Sequence, residues 1–365
     1  MTEGERLFLQ GKIDDAYKAL ETEKNGRSLY LLGLIDREGY GHHRADEEKG
    51  QSRFMEGKKM GDPLCGLALF QGETGKAMWD TVNEDFARVL QAAAAGDVLA
   101  MDEVGLSYLG NGMILNFEEG LKWLAKGAFY EYWKALYDLG MAYLDGYATA
   151  PDEAKAEACF KKSAEFHDHE SEYQLGLLAL DRVENREELD KAIDWLEKAY
   201  THGSDEGALL LGNIYEGTAA EDVDMNPDPQ EAMEWYEKAA ALGNGDAMAE
   251  LSLFYQKGIG VPKDMKRAEI LLKDAISNGC DDAFLSLGLL YLSEEKASEA
   301  LPYIEAAGAK GNTRALYMTG MMYLYGKGTE PDREKGIDCL KEAADAGLAE
   351  AEKELQKQGI YGDLI

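Results

Sequence analysis

The sequence predicts an all-α protein, an α/α superhelix built as a right-handed solenoid of about nine helical hairpins with capping helices at both ends. Three observations predict it. A small residue embedded in an apolar helical pattern recurs at Gly33, Ala68, Gly105, Gly140, Gly176, Gly212, Ser252, Gly288 and Gly320, at intervals of 32 to 40 residues. A second marker, the residue that ends the following helix, recurs in phase at Gly61, Gly96, Glu131, His167, Gly203, Gly243, Gly279, Gly311 and Gly347. No Ser- or Pro-rich linker interrupts the series, and the chain has only 7 prolines. A hairpin of two short helices has no core of its own, so such units must stack on copies of themselves.

The stretch Ser204 to Gly243 serves as the template. Its first helix carries Leu211 and Gly212 shortly before Tyr215, and its second places Ala232, Trp235, Tyr236, Ala239 and Ala240 on one face of a 3.6-residue helix. Gly243 closes the unit where a left-handed residue lets the chain turn.

In chain order, residues 1–26 form an N-terminal cap of two short helices broken near Gly11, with Leu7, Phe8, Ile13, Ala16, Tyr17 and Leu20 supplying the apolar face. Residues 27–347 are the repeats. The first departs from the template, with Arg53 and Phe54 where Trp235 and Tyr236 stand, and the second is shortened around Ala68. The middle units conform through Tyr108 and Trp123, Tyr143 and Phe160, Trp195, Tyr255 and Leu271, and Tyr291 and Tyr303. Pro302 is expected in about the first turn of its helix, where a missing amide costs little. Residues 348–365 are a C-terminal capping helix and tail. Loop length varies inside the hairpins, most at Glu73 to Asp85 and Thr218 to Pro229. Trp79, in the first of these, either packs on the neighbouring hairpin or is an exposed contact residue.

The stretches Ala135 to Gly146, Leu251 to Ala268 and Glu231 to Gly243 resemble the Sel-one-like repeat family of tetratricopeptide-type helical repeats, and the likeness runs over roughly residues 27 to 347. The resemblance implies a stacked-hairpin fold. It says little of biochemistry, because function resides in sites and not in folds.

With 38 basic and 70 acidic residues the formal charge is −32. Such a field opposes phosphate backbones and anionic lipid, so neither nucleic acid nor a membrane is the expected partner. No apolar run approaches the length needed to span a bilayer, and the N-terminal stretch has neither a basic nor an apolar leader pattern. Cys65, Cys159, Cys280 and Cys339 fall in different repeats, which fits a reducing compartment and small packed side chains. A cytoplasmic protein is the expectation.

Catalytic and metal motifs are incomplete. Asp222, Asp224, Asn226 and Asp228 start like a calcium loop, but Pro227 replaces the turn glycine and Met233 the bidentate glutamate. Gly72, Gly75 and Lys76 lack the first glycine and the hydroxyl residue of a phosphate loop. His42/His43 and His167/His169 have no ligand partner at a recognised spacing. No cofactor and no metal is expected, and neither metal ions nor reducing agents are expected to alter stability.

The expected function is a non-catalytic protein-interaction scaffold or adaptor. A solenoid-based hydrolase, or a regulatory protein whose long inter-helix loops are the active surface, is the alternative. In the tetratricopeptide-type units that the chain resembles, the first helix of each pair lines the concave face. Three residues before the small anchor that helix carries Tyr30, Tyr137, Tyr173 and Tyr317, with Leu209 and Leu285 in the same register; five residues after the anchor come Asp145, Asp181 and Tyr325. These residues either form a groove for a protein or peptide with basic and apolar residues, or only pack neighbouring helices together. The loops around Trp79 and Asp224 are the other candidate contact surface.

Overall fold

The computed structural model describes residues 1–69, 76–110, 115–219 and 227–360, with the backbone alone for 76–82. The described residues form 21 α-helices and no strand. They group into two compact units, Met1–Pro227 and Asp228–Ile365.

In the first unit, α1 (Glu3–Leu9) and α2 (Ile13–Glu23) make a capping hairpin. The repeats follow as α3 (Gly26–Glu38) with α4 (Glu47–Lys59), α5 (Pro63–Ala68) with α6 (Lys76–Ala94), α7 (Val98–Leu109) with α8 (Phe117–Phe129), α9 (Trp133–Asp145) with α10 (Glu153–Ala164), and α11 (His169–Leu180) with α12 (Arg186–Thr201), ending on α13 (Asp205–Glu216). The second unit starts with α14 (Pro229–Leu242), continues as α15 (Gly245–Lys257) with α16 (Met265–Ser277), α17 (Asp282–Ser293) with α18 (Ala297–Ala309), and α19 (Thr313–Tyr325) with α20 (Arg333–Asp345), and closes on α21 (Ala349–Lys357). Each repeat anchor read from the sequence lies in an odd-numbered helix from α3 to α19. No helix among the described residues is long and apolar enough to cross a membrane.

Local chemistry sets these boundaries. The residues Asp46, Asp62, Asp97, Asp152, Asp168, Asp228, Asp264 and Asp332 each accept a backbone amide as helix N-caps. Each such cap contributes about 1 kcal/mol, so part of the acidic excess serves folding. Between repeats the turn residue takes positive φ, mostly as glycine, but also as Glu131 (57°) and His167 (63°). The small anchors are close-contact points: a Cβ on Gly140 would lie 2.5 Å from Phe160 Cε1, and one on Gly320 would lie 2.8 Å from Leu340 Cγ.

Two expectations need correction. The first long loop ends before Lys76, because α6 starts there, so Trp79 is a helical residue; Phe86, Val89 and Ala93 give that helix a buried stripe. Pro302 sits in the second turn of α18, where its ring is exposed to solvent.

The first unit also closes on itself. Trp133, at the start of α9, donates its indole N–H to the Phe8 carbonyl of α1 at 2.9 Å, and the two rings lie 5.4 Å apart. Tyr40, in the α3–α4 loop, packs edge-on against Trp133 at 5.0 Å and against His169 at 5.8 Å. The cap hairpin is thus wedged between the first repeat and the fourth.

Candidate functional site

The register three residues before the anchor is only partly open. Tyr137 on α9, Tyr173 on α11 and Leu209 on α13 are half-buried. One turn earlier on α11 and α13 stand Glu170 and Glu206, so tyrosines and carboxylates from adjacent first helices are interleaved. Burial pushes the Tyr137 hydroxyl up, with Glu170 as its strongest adverse charge; burial does the same to Tyr173, helped by Glu206, Glu170 and Asp205. Burial and neighbouring acids lift Glu170 to about 8. Glu206 reaches about 7 through burial and the Asp205 carboxylate, although its side chain still meets water. His169 Nε2 lies 3.7 Å from Glu170, but burial holds that imidazole at about 4, so it is neutral near pH 7. Asp145 and Asp181, at the ends of α9 and α11, are exposed beside this stretch.

Tyr30 is different. It is 1% exposed and its hydroxyl donates to Glu103. Its ring lies 6.1 Å from that of Phe54 on α4, and Glu103 belongs to α7, so this member of the register is core and not surface. Around it the first unit buries Asp102, Glu103, Tyr132, Lys134 and Asp138. Lys134 Nζ pairs with Asp138 Oδ2 at 2.9 Å. Burial raises the Asp102 carboxyl well above its usual range, and the Asp138 charge adds to this. Clusters of shifted groups often mark active sites. Here, however, the adjoining cleft between Gly11, Tyr40, Trp133 and His167 has a volume of about 10 Å³, room for about one water molecule.

In the second unit, Leu285 and Tyr317 are half-buried and pack with the cores of α17–α18 and of α20–α21. Tyr325 is 53% exposed, and its hydroxyl donates to Glu354 of α21 at 2.7 Å. Of the loop candidates, Asp224 and the side chain of Trp79 lie outside the described residues. So do Asp222, Asn226, Gly72 and Gly75. All four thiols are free.

Three features were missed at the level of sequence. Glu170 and Glu206 do share a register, six residues before the anchor, and that repeat could have been read. Trp123, Phe129 and Tyr130 border a surface cleft of about 720 Å³, with Phe129 80% exposed, although Phe129 and Tyr130 belong to no recurring column. The ligand atoms of His167, Glu172 and His202 come within 4.8 Å of one another. No spacing rule links those three, because the stacking of successive turns brings them together.

Comparison with known proteins agrees with this architecture. The family model described as Sel1 repeat matches residues 98–128, 133–165, 169–204, 206–244, 245–280 and 313–348. Chitin synthase regulatory factor 3 of Schizosaccharomyces pombe is 25% identical over 235 residues, which cover 61% of this chain and 25% of that protein. The uncharacterized protein NMB1327 of Neisseria meningitidis is 27% identical over 240 residues, covering 66% of this chain and 42% of the relative. The chain thus spans well under two thirds of these relatives. A Sel1 repeat protein from Oxalobacter formigenes superposes with a TM-score of 0.61 at 23% identity, covering 84% of this chain and 89% of that one.

Proposed function

Because the chain belongs to the Sel1 repeat family, whose members are generally protein-interaction scaffolds, we propose that it is a non-catalytic adaptor taking a peptide or protein segment with basic and apolar residues across α9, α11 and α13. The observation that carries this reading is the interleaving of Tyr137, Glu170, Tyr173 and Glu206. Tyrosine offers a large contact area at small entropic cost. Carboxylates crowded on one stretch are best relieved by a lysine or arginine brought by a partner. The −32 charge would speed the approach of such a partner, and added salt would slow it once the Debye length falls below about 10 Å. A cytoplasmic setting belongs to the same reading and agrees with the free thiols. The fission-yeast relative, a regulatory factor by name, is in keeping with action through another protein.

A random peptide display library panned on the full chain tests the proposal. Enrichment of Lys/Arg-containing apolar peptides is expected, with binding lost in a folded Tyr137→Ala/Tyr173→Ala variant. Enrichment of acidic peptides, or undiminished binding by that variant, would refute it. The cleft beside Phe129 and Tyr130 would then be the next surface to examine.

A further inference from the structure

We propose that His167, Glu172 and His202 form a three-ligand site for a divalent transition-metal ion of the zinc class. His167 ends the α10 turn, Glu172 lies in the first turn of α11, and His202 is the C-cap residue of α12. The stacking of two successive repeats therefore puts all three at one seam. Nδ1 of His202 is 2.6 Å from Glu172 Oε2, and the rings of His167 and His202 have centroids 4.5 Å apart.

The donor set decides the class of ion. Two imidazoles and one carboxylate suit zinc and its neighbours, whereas calcium and magnesium take oxygen ligands almost throughout. Tetrahedral coordination with bonds of about 2.0–2.1 Å sets ligand atoms about 3.3 Å apart. The Glu172–His202 contact would open by well under 1 Å, and the exposed His167 ring has room to turn inward. Glu172 is 3% exposed, so its carboxylate is held in place. On binding, the metal takes the place of the proton between His202 and Glu172, and that proton leaves to solvent. Three protein ligands leave a fourth position for water or for a group from a partner.

Two further observations single out this seam. His167 keeps a side chain at φ 63°, in a position that most other repeats fill with glycine, and so retains an imidazole against backbone strain. All five histidines of the chain also border the region. His169 packs on Tyr40. His42 and His43 both approach Asp14, and the neighbouring Gly41 carbonyl abuts Gly203, next to His202. Bound metal would fasten the turns of repeats four and five where the N-terminal hairpin closes over them.

The test uses the full chain, freed of metal with a chelator. Titration with CoCl₂, followed by visible absorption, and with ZnCl₂, followed by calorimetry, should show one equivalent bound and a rise in Tm with zinc. His202→Asn and Glu172→Gln should each weaken binding at least about tenfold. His167→Gly is the control for folding. Glycine suits that backbone, so the metal-free Tm should hold or rise while affinity falls as in the other variants. His42→Asn/His43→Asn should bind as wild type does. The assignment is overturned by substoichiometric binding to the wild type, by wild-type affinity in folded His167→Gly and His202→Asn, or by loss confined to the His42/His43 variant.

Discussion

The two units use the same repeat but end it in different ways. The first unit buries ionisable groups: Asp36, Asp102, Glu103, Lys134, Asp138 and Glu172 are all below a tenth exposed. The second ends on one amphipathic helix, α21, whose Ala351 and Leu355 complete an apolar cluster with Ile337, Leu340, Ala343 and Ala344; its buried ionisable side chain, Glu354, stays beside solvent-facing Lys357. A repeat register therefore does not by itself fix exposure. The same position is core in Tyr30, which packs on Phe54 of α4 and bonds Glu103 of α7, and half-open in Tyr317.

The sharpest way to break this contrast is Lys134→Met. It leaves Asp138, Asp102 and Glu103 without their buried cation, and removing one partner of such a pair costs about 3 kcal/mol or more. Urea denaturation should show that loss, with partial recovery in Lys134→Met/Asp138→Asn. An unchanged midpoint would mean that the buried ionic cluster does not hold the first unit together. Gly140→Leu and Gly320→Leu examine what the units share. Each puts a side chain into a second-helix residue, Phe160 or Leu340, and should cost about 2–3 kcal/mol in both units alike. Gly212→Leu is expected to behave in the same way. A loss in one unit alone would tie the close contact to its cap and not to the repeat.

Helix pairing was legible in the sequence because the anchors record local packing. Nine small residues mark nine first helices, and the turn residues take positive φ where the second marker placed them. What the sequence hid depends on contacts between distant residues. Arg53 replaces the template tryptophan because, with Lys49, it neutralises buried Asp36, at 3.2 Å and 2.7 Å. Nothing within one repeat announces that partner. Trp133 likewise reads as an ordinary first-helix residue until its bond to Phe8 brings the cap against α9. The tyrosine column was visible as a register, but the burial of Tyr30 depends on Glu103, 73 residues further along the chain.

A paired substitution sharpens the comparison at a single residue type. Tyr30→Phe removes the hydroxyl that donates to buried Glu103, and a buried acceptor left without its donor costs about 2 kcal/mol. Tyr325→Phe removes a similar bond, but Glu354 keeps Lys357 at 2.9 Å and Gln358 at 3.1 Å, so the loss should stay below about 1 kcal/mol. Equal losses in thermal unfolding would erase the distinction between a covered and an open tyrosine.

The smallest effect on stability belongs to Glu206, and it bears most directly on binding. Its folded-state pKa of about 7 stands above the ordinary 4.5, raised by burial and by Asp205. The folded chain therefore favours the protonated form. The stability this gives is complete below pH 4.5 and is lost as pH rises through 7; because the side chain meets water, screening limits it to a few tenths of a kcal/mol. A cationic peptide prefers the ionised form, which grows from about a tenth of molecules at pH 6 to about nine tenths at pH 8. Affinity for a Lys/Arg-containing peptide should accordingly rise by up to about tenfold over that range and fall with added salt. Glu206→Gln should flatten the rise and weaken binding at pH 8. Glu170, lifted to about 8 partly by the Glu206 charge, ionises over an overlapping range, so Glu170→Gln and the Glu170→Gln/Glu206→Gln double variant are measured alongside to divide the rise between the two carboxylates. Identical curves, measured by fluorescence anisotropy of a labelled peptide, would remove Glu206 from the contact surface and leave the tyrosines of α9 and α11 to be tested alone.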